Sequence, residues 1–263
     1  MEEKEGFVKN SKIAMYGVLN GILGSVVYEI VLLFIVSFFV VGIISGQNPN
    51  ASSEELQELV NNAYDSMHYQ AGMSFLISLV TLIVFIVIIK FDTFKELCKK
   101  AINSKTIKYG IITALAIMGF TIVYKLAVIN IFNLESGDNA NQDSVEMLVR
   151  GSPFLGFILV VLLAPSTEEL TYRYCMFGEI SKRKKWLGYL TSGLVFMAMH
   201  GVASYTAAGG FNSEFAMELI YLPPYLFSGL ALCYAYDKTN NIGSSFVAHL
   251  FNNLVSFLSI VCL

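Results

Sequence analysis

Glu168 and Glu169 stand side by side, with Arg173 four residues past the second, directly after the apolar run PFLGFILVVLL at 153–163. A charge near the centre of a bilayer costs about 2.5–3.5 kcal/mol on insertion scales and more in simulations, so three in such surroundings call for a reason. Glu169 and Arg173 have the i, i+4 order that favours an ion pair on one helix face. Glu168, turned about 100° from its neighbour on an α-helix, points elsewhere and stays free. Phe196 with His200, and His249 with Asn253, repeat the four-residue spacing; Ser245 extends the last stripe by a turn and Asn252 lies beside it. Pro165 removes one backbone hydrogen bond just ahead of the acidic pair, which predicts a kink or a widened turn there.

A carboxylate, an imidazole and a water enclosed in low dielectric make a hydrolytic unit. A carboxylate taken out of water accepts a proton more readily, which suits a general base near neutral pH. A second histidine and an asparagine amide offer two donors to the oxyanion that forms when water attacks a peptide carbonyl. Ser245 and Asn252 could support these groups from behind. The chain has no serine elbow, no HExxH motif and no intramembrane Asp pair. Three other chemistries stay open. Two histidines and a glutamate could hold a divalent metal, although an asparagine suits an oxyanion better than a zinc ion. Intramembrane Glu and His also build the proton relays of carriers, and Lys125, Glu29 and Glu218 add to that reading. Against a carrier, the motifs fill one half of the chain and no inverted repeat is visible. A scaffold or immunity protein that only holds peptides would use the same groove.

The elements that carry these residues are transmembrane helices. Of 263 residues 55% are hydrophobic and only 14% charged, against roughly 25% charged in a soluble domain. Seven apolar windows are long enough to cross about 30 Å of hydrocarbon: 13–45, 72–91, 106–133, 153–180, 186–204, 213–236 and 242–263. The fold class is therefore all-α, a polytopic bundle of about seven spans, with eight possible. The first window is oversized, near 50 Å at about 1.5 Å per residue, so its early part, with Glu29, is expected to tilt or to lie along the interface. The mixed N-terminus MEEKEGFVKNSK carries no expected cleavable leader. Pro223-Pro224 must break the sixth span.

Charge orients the spans. Of the 17 basic residues all but Lys125, Arg150 and Arg173 fall in the N-terminal segment, the 90–108 loop, the KRKK turn at 182–185 and the loop holding Lys238. The alternate loops carry acids instead, among them Glu54, Glu55, Glu58, Asp65, Glu135, Asp138, Asp143 and Glu146. The positive-inside rule then places the N-terminus in the cytoplasm and, with seven spans, the C-terminus outside. Measured from the cytoplasmic ends, Glu168, His200, His249 and Asn253 all lie roughly 12–21 Å up, in one slab. Within the 46–71 loop, Ser52 and Glu55 form a capping box ahead of a helical stripe, which predicts an amphipathic helix on the outer leaflet. His68 reads as a surface residue of that loop. The four cysteines, Cys98, Cys175, Cys233 and Cys262, have no CxxC pair and read as reduced core residues.

Glu168-Glu169-Leu-Thr-Tyr-Arg173 fits EExxxR, Phe196-Met-Ala-Met-His200 fits FxxxH, and His249-Leu-Phe-Asn-Asn253 fits HxxxN. In this order the three motifs resemble the CAAX protease and bacteriocin-processing family, which is similar to the type II CAAX prenyl endopeptidases. The resemblance covers 153–263, a catalytic transmembrane core, and leaves 1–152 as N-terminal transmembrane helices with an extracytoplasmic loop helix. It implies an intramembrane glutamate-type endopeptidase. Glu168 and His200 would activate water, His249 and Asn253 would stabilise the oxyanion, and Glu169 with Arg173 would hold the site in shape. The family core is usually drawn with eight helices. Bacterial members are linked to leader or pheromone maturation, bacteriocin processing and self-immunity. The implied partners are a peptide or protein substrate and the lipid bilayer of a bacterial cell; no cofactor, no metal and no nucleic acid is expected.

Overall fold

The computed structural model describes residues 11–132 and 139–262. Lys4, Lys9, Glu135 and Asp138 of the charge pattern lie outside these described residues. All regular structure among them is helical. The oversized first window divides into α1 (Ser11–Ile22) and α2 (Gly24–Gln47), and of the two only Val26–Gln47 is long and apolar enough to span. The early part, expected to tilt or to lie along the interface, forms the separate helix α1. Gly17 and Gly21 put two hydrogen-only positions on one face of α1, and a Cβ on either would run into Cys175 Sγ or Thr171 Oγ1 of the fourth span. Small residues four apart let two helix backbones approach closely, so one face of α1 packs on the fourth span while Met15, Tyr16 and Leu19 stay exposed. Glu29 belongs to α2, where it is exposed.

After α2 come α3 (Ser53–Tyr64), α4 (Met67–Ile89), α5 (Phe91–Ala101), α6 (Ser104–Phe132) and α7 (Ala140–Gly151). The capping box of α3 is formed: Ser52 N–H donates to Glu55 Oε2 at 2.8 Å and Glu55 N–H to Ser52 Oγ at 3.3 Å. Those bonds hold the Glu55 carboxyl below the usual glutamate range. His68 sits in the first turn of α4 instead of the loop, and is exposed. Two helices replace segments that hydropathy alone reads as loops. One is α5, whose Lys99 and Lys100 occupy the last turn, where cations meet the negative end of the helix dipole. The other is α7, capped by Asn139 Oδ1 accepting from Gln142 N–H at 3.0 Å and anchored by the fully buried Val149.

The chain continues as α8 (Pro153–Ile180), α9 (Lys185–Ala207), α10 (Ser213–Glu218), a 3₁₀ turn at Leu219–Tyr221, α11 (Pro223–Thr239) and α12 (Ile242–Cys262). The Pro-Pro pair thus opens α11, where a missing N–H costs nothing because the first turn has no partner for it. Seven candidate spans result among the described residues, and the chain is a multi-pass membrane protein. Half of the most apolar stretch of α8 is buried, whereas none of that of Val26–Gln47 in α2 is. Leu170, Tyr174, Cys175 and Phe177 of α8 form the main core with Phe85 of α4 and Tyr236 of α11. Cys98 and Cys262 are exposed, so only Cys175 and Cys233 are the core residues expected of all four.

Side-chain contacts define the two ends of the bundle. At one end Asn241 Nδ2 donates to the Lys100 carbonyl at 2.7 Å, and Lys185 pairs with Asp237 at 2.9 Å. At the other, Glu218 Oε2 accepts from Ala140 N–H at 3.2 Å and from Ser204 Oγ–H at 2.8 Å. There the Tyr124 hydroxyl also reaches the Ile220 carbonyl at 2.9 Å. The basic turn and α5 therefore share one end, and α7 and α10 cap the opposite one.

Candidate active site

The helix that carries the acidic pair is not a regular α-helix. It is wound as a π-helix over Phe157–Leu163, as α over Ala164–Glu168, and as π again over Glu169–Phe177. The widened turn expected beside the glutamates is present. In the first π segment Ala164 N–H bonds to the Leu159 carbonyl, five residues back. The next carbonyl in that register, Val160, would need the N–H of residue 165, which is proline and has none. Asn253 fills the gap: its Nδ2 donates to the Val160 carbonyl at 2.9 Å. Ser166 Oγ–H satisfies Leu162 at 2.6 Å and Thr167 Oγ1–H satisfies Leu163 at 3.1 Å. The polar residues of APSTEEL thus complete the backbone bonding of an irregularly wound helix in an apolar setting, as such a setting requires.

Glu169 and Arg173 form a 3.1 Å ion pair with side-chain exposures of 1% and 0%. The guanidinium carbon also lies 4.5 Å over the Phe196 ring, a cation–π arrangement. The same Glu169 Oε1 accepts from His249 Nδ1–H at 2.9 Å. With Nδ1 committed in this way, His249 Nε2 is left for other partners, and it lies 3.8 Å from Glu168 Oε2. The two glutamates therefore flank opposite nitrogens of one imidazole, and Glu168 does not point away as an α-helical step predicts. The change of winding at this junction closes the angle between neighbouring side chains, and each carboxylate reaches inward on its two methylenes. Glu168 Oε2 is buried and makes no hydrogen bond.

His200 Nδ1–H donates to the Phe196 carbonyl at 2.8 Å, which fixes the tautomer and leaves Nε2 as an acceptor. Its ring stacks on Tyr225, with centroids 4.4 Å apart and planes 25° apart. His200, His249 and Asn253 share the wall of a cavity of about 550 Å³. Glu168 is not part of that wall, and its Oε2 lies 3.8 Å from Nε2 of His249, which is.

Of the carrier-like residues, Lys125 lines the cavity, Glu218 brackets α7 and Glu29 sits on α2. No group of three His, Cys, Asp or Glu placed to hold a metal occurs among the described residues. The sequence reading missed Tyr225 and the whole of α7. Asn141 Nδ2 donates to the Tyr225 hydroxyl at 3.1 Å, and that hydroxyl lies 3.4 Å from Asn139 Oδ1, so α7 is tied to the ring beneath His200. The available signal was an asparagine cap ahead of Val145 and Val149 at helical spacing.

A helix of mixed α and π winding, two glutamates and an imidazole held between them place the chain among polytopic helical proteins with a polar cluster on its candidate spans. Residues 150–255 match the family model described as Type II CAAX prenyl endopeptidase Rce1-like. The resemblance read from the three motifs is borne out over that stretch. The chain is also 34% identical over 90 residues to the UPF0177 protein YvdC of Lactococcus lactis subsp. lactis, a match that spans 32% of this chain and 34% of that protein. The aligned part is thus about a third of the length of that relative. No solved structure matches the chain.

Proposed function

We propose that the protein is an intramembrane endopeptidase that hydrolyses peptide bonds of small peptide or protein substrates with water activated by Glu168 and His200. The observation that carries the reading is a buried Glu168 oxygen without a hydrogen bond, 3.8 Å from a histidine whose other nitrogen is held by Glu169. At 3.8 Å the two groups are too far apart for a direct hydrogen bond, so Glu168 Oε2 keeps its acceptor capacity for a water. Glu168 takes a proton from the water as its oxygen bonds to the scissile carbonyl carbon, and His200 Nε2 accepts the other O–H. The oxyanion meets His249 Nε2–H, present when the ring carries its second proton, and the Asn253 amide hydrogen that does not bond Val160. Collapse breaks the C–N bond and the proton on Glu168 passes to the leaving amine. Glu169 and Arg173 hold His249 in place throughout.

The match at 150–255 supports a hydrolase of the protease kind, and the cell context that fits it is processing of leaders, pheromones or bacteriocins, or self-immunity, in a bacterial membrane. The N-terminus lies in the cytoplasm, in line with the basic end of the bundle. The test is cleavage of a candidate peptide by the purified chain. Glu168→Ala and His200→Ala are each expected to lower turnover by about 10²–10⁴-fold. Wild-type rates in both folded variants exclude the mechanism, and peptide binding without turnover in the wild type points to a scaffold.

A further inference from the structure

We infer that Asn139, which caps α7, is a substrate-binding residue whose Nδ2 donates to a backbone carbonyl of the peptide beside the scissile bond. That the occupant is a peptide rests on the peptidase reading; the idle donor in the cavity wall does not. Asn139 is 4% exposed and lines the cavity with His200, Tyr225 and His249. Its acceptors are engaged. Oδ1 takes the Gln142 N–H at 3.0 Å and has the Tyr225 hydroxyl 3.4 Å away, and the backbone carbonyl takes the Asp143 N–H at 3.0 Å. Nδ2 is buried and makes no hydrogen bond. Turning the amide round does not relieve this, because the cap needs an oxygen facing the Gln142 N–H. A buried donor without an acceptor is unfavourable, so one in a cavity wall points to a partner that arrives with the occupant.

Two other asparagines of the chain show what such an amide bonds. Asn103 and Asn212, ahead of α6 and α10, also accept first-turn N–H groups through Oδ1, from Thr106 at 3.1 Å and Phe215 at 2.9 Å. Their Nδ2 groups each donate to a peptide carbonyl, that of Lys100 at 3.3 Å and that of Ala208 at 2.6 Å. A carbonyl of the occupant completes Asn139 in the same way. The Tyr225 hydroxyl that meets Asn139 and Asn141 belongs to the ring stacked on His200 at 4.4 Å. One aromatic ring therefore separates Asn139 from the proposed water-activating histidine. The scissile carbonyl has His249 and Asn253, so Asn139 takes a neighbouring one. Such a bond is made in the ground state and the transition state alike, and it lowers KM without raising kcat.

Asn139→Asp tests this, since aspartate caps a helix as well as asparagine does and puts an acceptor where the donor stood. Asn139→Ser also keeps a cap and has no amide, and it stands in if the aspartate variant does not fold. Fluorescein-labelled decapeptides from candidate leader sequences are offered to the purified full chain, for cleavage and, in the Glu168→Gln background, for binding by anisotropy. With melting temperatures close to the parent's, both variants are expected to weaken binding and to raise KM by about 5–100-fold, with the effect on KM and not on kcat. A thioamide scan of the best peptide separates a donor from a mere cap. Sulfur is a poorer acceptor than oxygen, so at one position the exchange is expected to weaken binding to the parent and not to Asn139→Asp. Unchanged binding and KM in both variants, or no coupling at any position, overturns the inference and leaves Nδ2 to water, while cleavage by the wild type keeps the peptidase reading. Binding without cleavage in the wild type, weakened by Asn139→Asp with thioamide coupling, upholds the inference and overturns the peptidase reading alone. Neither binding nor cleavage of any of the peptides overturns both.

Discussion

His249 Nδ1 lies 2.9 Å from Glu169 Oε1, the oxygen that Arg173 also meets at 3.1 Å. One carboxylate oxygen therefore neutralises a buried guanidinium and orients an imidazole. Removing the arginine alone leaves a carboxylate buried without its charge partner, which costs about 3–5 kcal/mol. Arg173→Met is expected to lower the melting temperature of the detergent-solubilised protein sharply. Glu169→Leu combined with Arg173→Met is expected to recover most of that loss, since an apolar pair can replace a buried ion pair. The double variant stays inactive, because nothing then fixes His249. Recovery of activity along with stability would contradict the assigned role of Glu169.

Asn253 acts on Val160 because Pro165 cannot. Asn253→Ala leaves the Val160 carbonyl without a donor and is expected to cost about 1–3 kcal/mol of stability. Pro165→Ala restores an N–H in the π register. In that background the same Asn253→Ala change is expected to cost visibly less, read as coupling in a double-mutant cycle of melting temperatures. Additive losses would show that the amide and the proline are unrelated.

The capping box on α3 gives a pH dependence with a defined sign. The Glu55 carboxyl is held below its ordinary value by the Ser52 backbone and side chain. A depressed carboxylate adds stability that is present above the unfolded value and is lost as pH falls through the folded one. Hydrogen exchange of the first turn of α3 is expected to quicken, relative to Ser52→Ala, as the medium is acidified through that range. Equal acid sensitivity in wild type and Ser52→Ala would contradict it.

Turnover is expected to survive a strong chelator without loss, since the proposed chemistry runs on carboxylate, imidazole and water alone. Loss of cleavage that added zinc restores would move Glu168, His200 and His249 from acid–base groups to metal ligands.

Much of this architecture is legible in the sequence because lipid imposes simple rules. Seven apolar lengths, the alternation of basic loops and the Pro-Pro break carry directly into the helices, as does the box at Ser52. The i, i+4 spacing of Glu169 and Arg173 is enough to predict their pairing. The direction of Glu168 is less accessible, because it depends on π winding, and nothing in residue type distinguishes a five-residue turn from a four-residue one before neighbouring helices are packed. The engagement of Asn253 with Val160 has the same origin. Hydropathy also misses α7, since a short capped helix of mixed polarity looks like a loop until Val149 is seen to be buried. Its asparagine cap and the Gly17–Gly21 spacing on α1 are the two signals that a closer reading can use.

The central claim is that the Glu168 carboxylate takes a proton from the attacking water, and Glu168→Gln isolates that function because it keeps the shape and removes the acceptor. Steady-state cleavage of one peptide by the purified wild type and by Glu168→Gln, with melting temperatures matched, is the deciding measurement. A fall in kcat of about 10²–10⁴-fold with KM nearly unchanged is the expected result. A folded Glu168→Gln protein that cleaves at the wild-type kcat would contradict it.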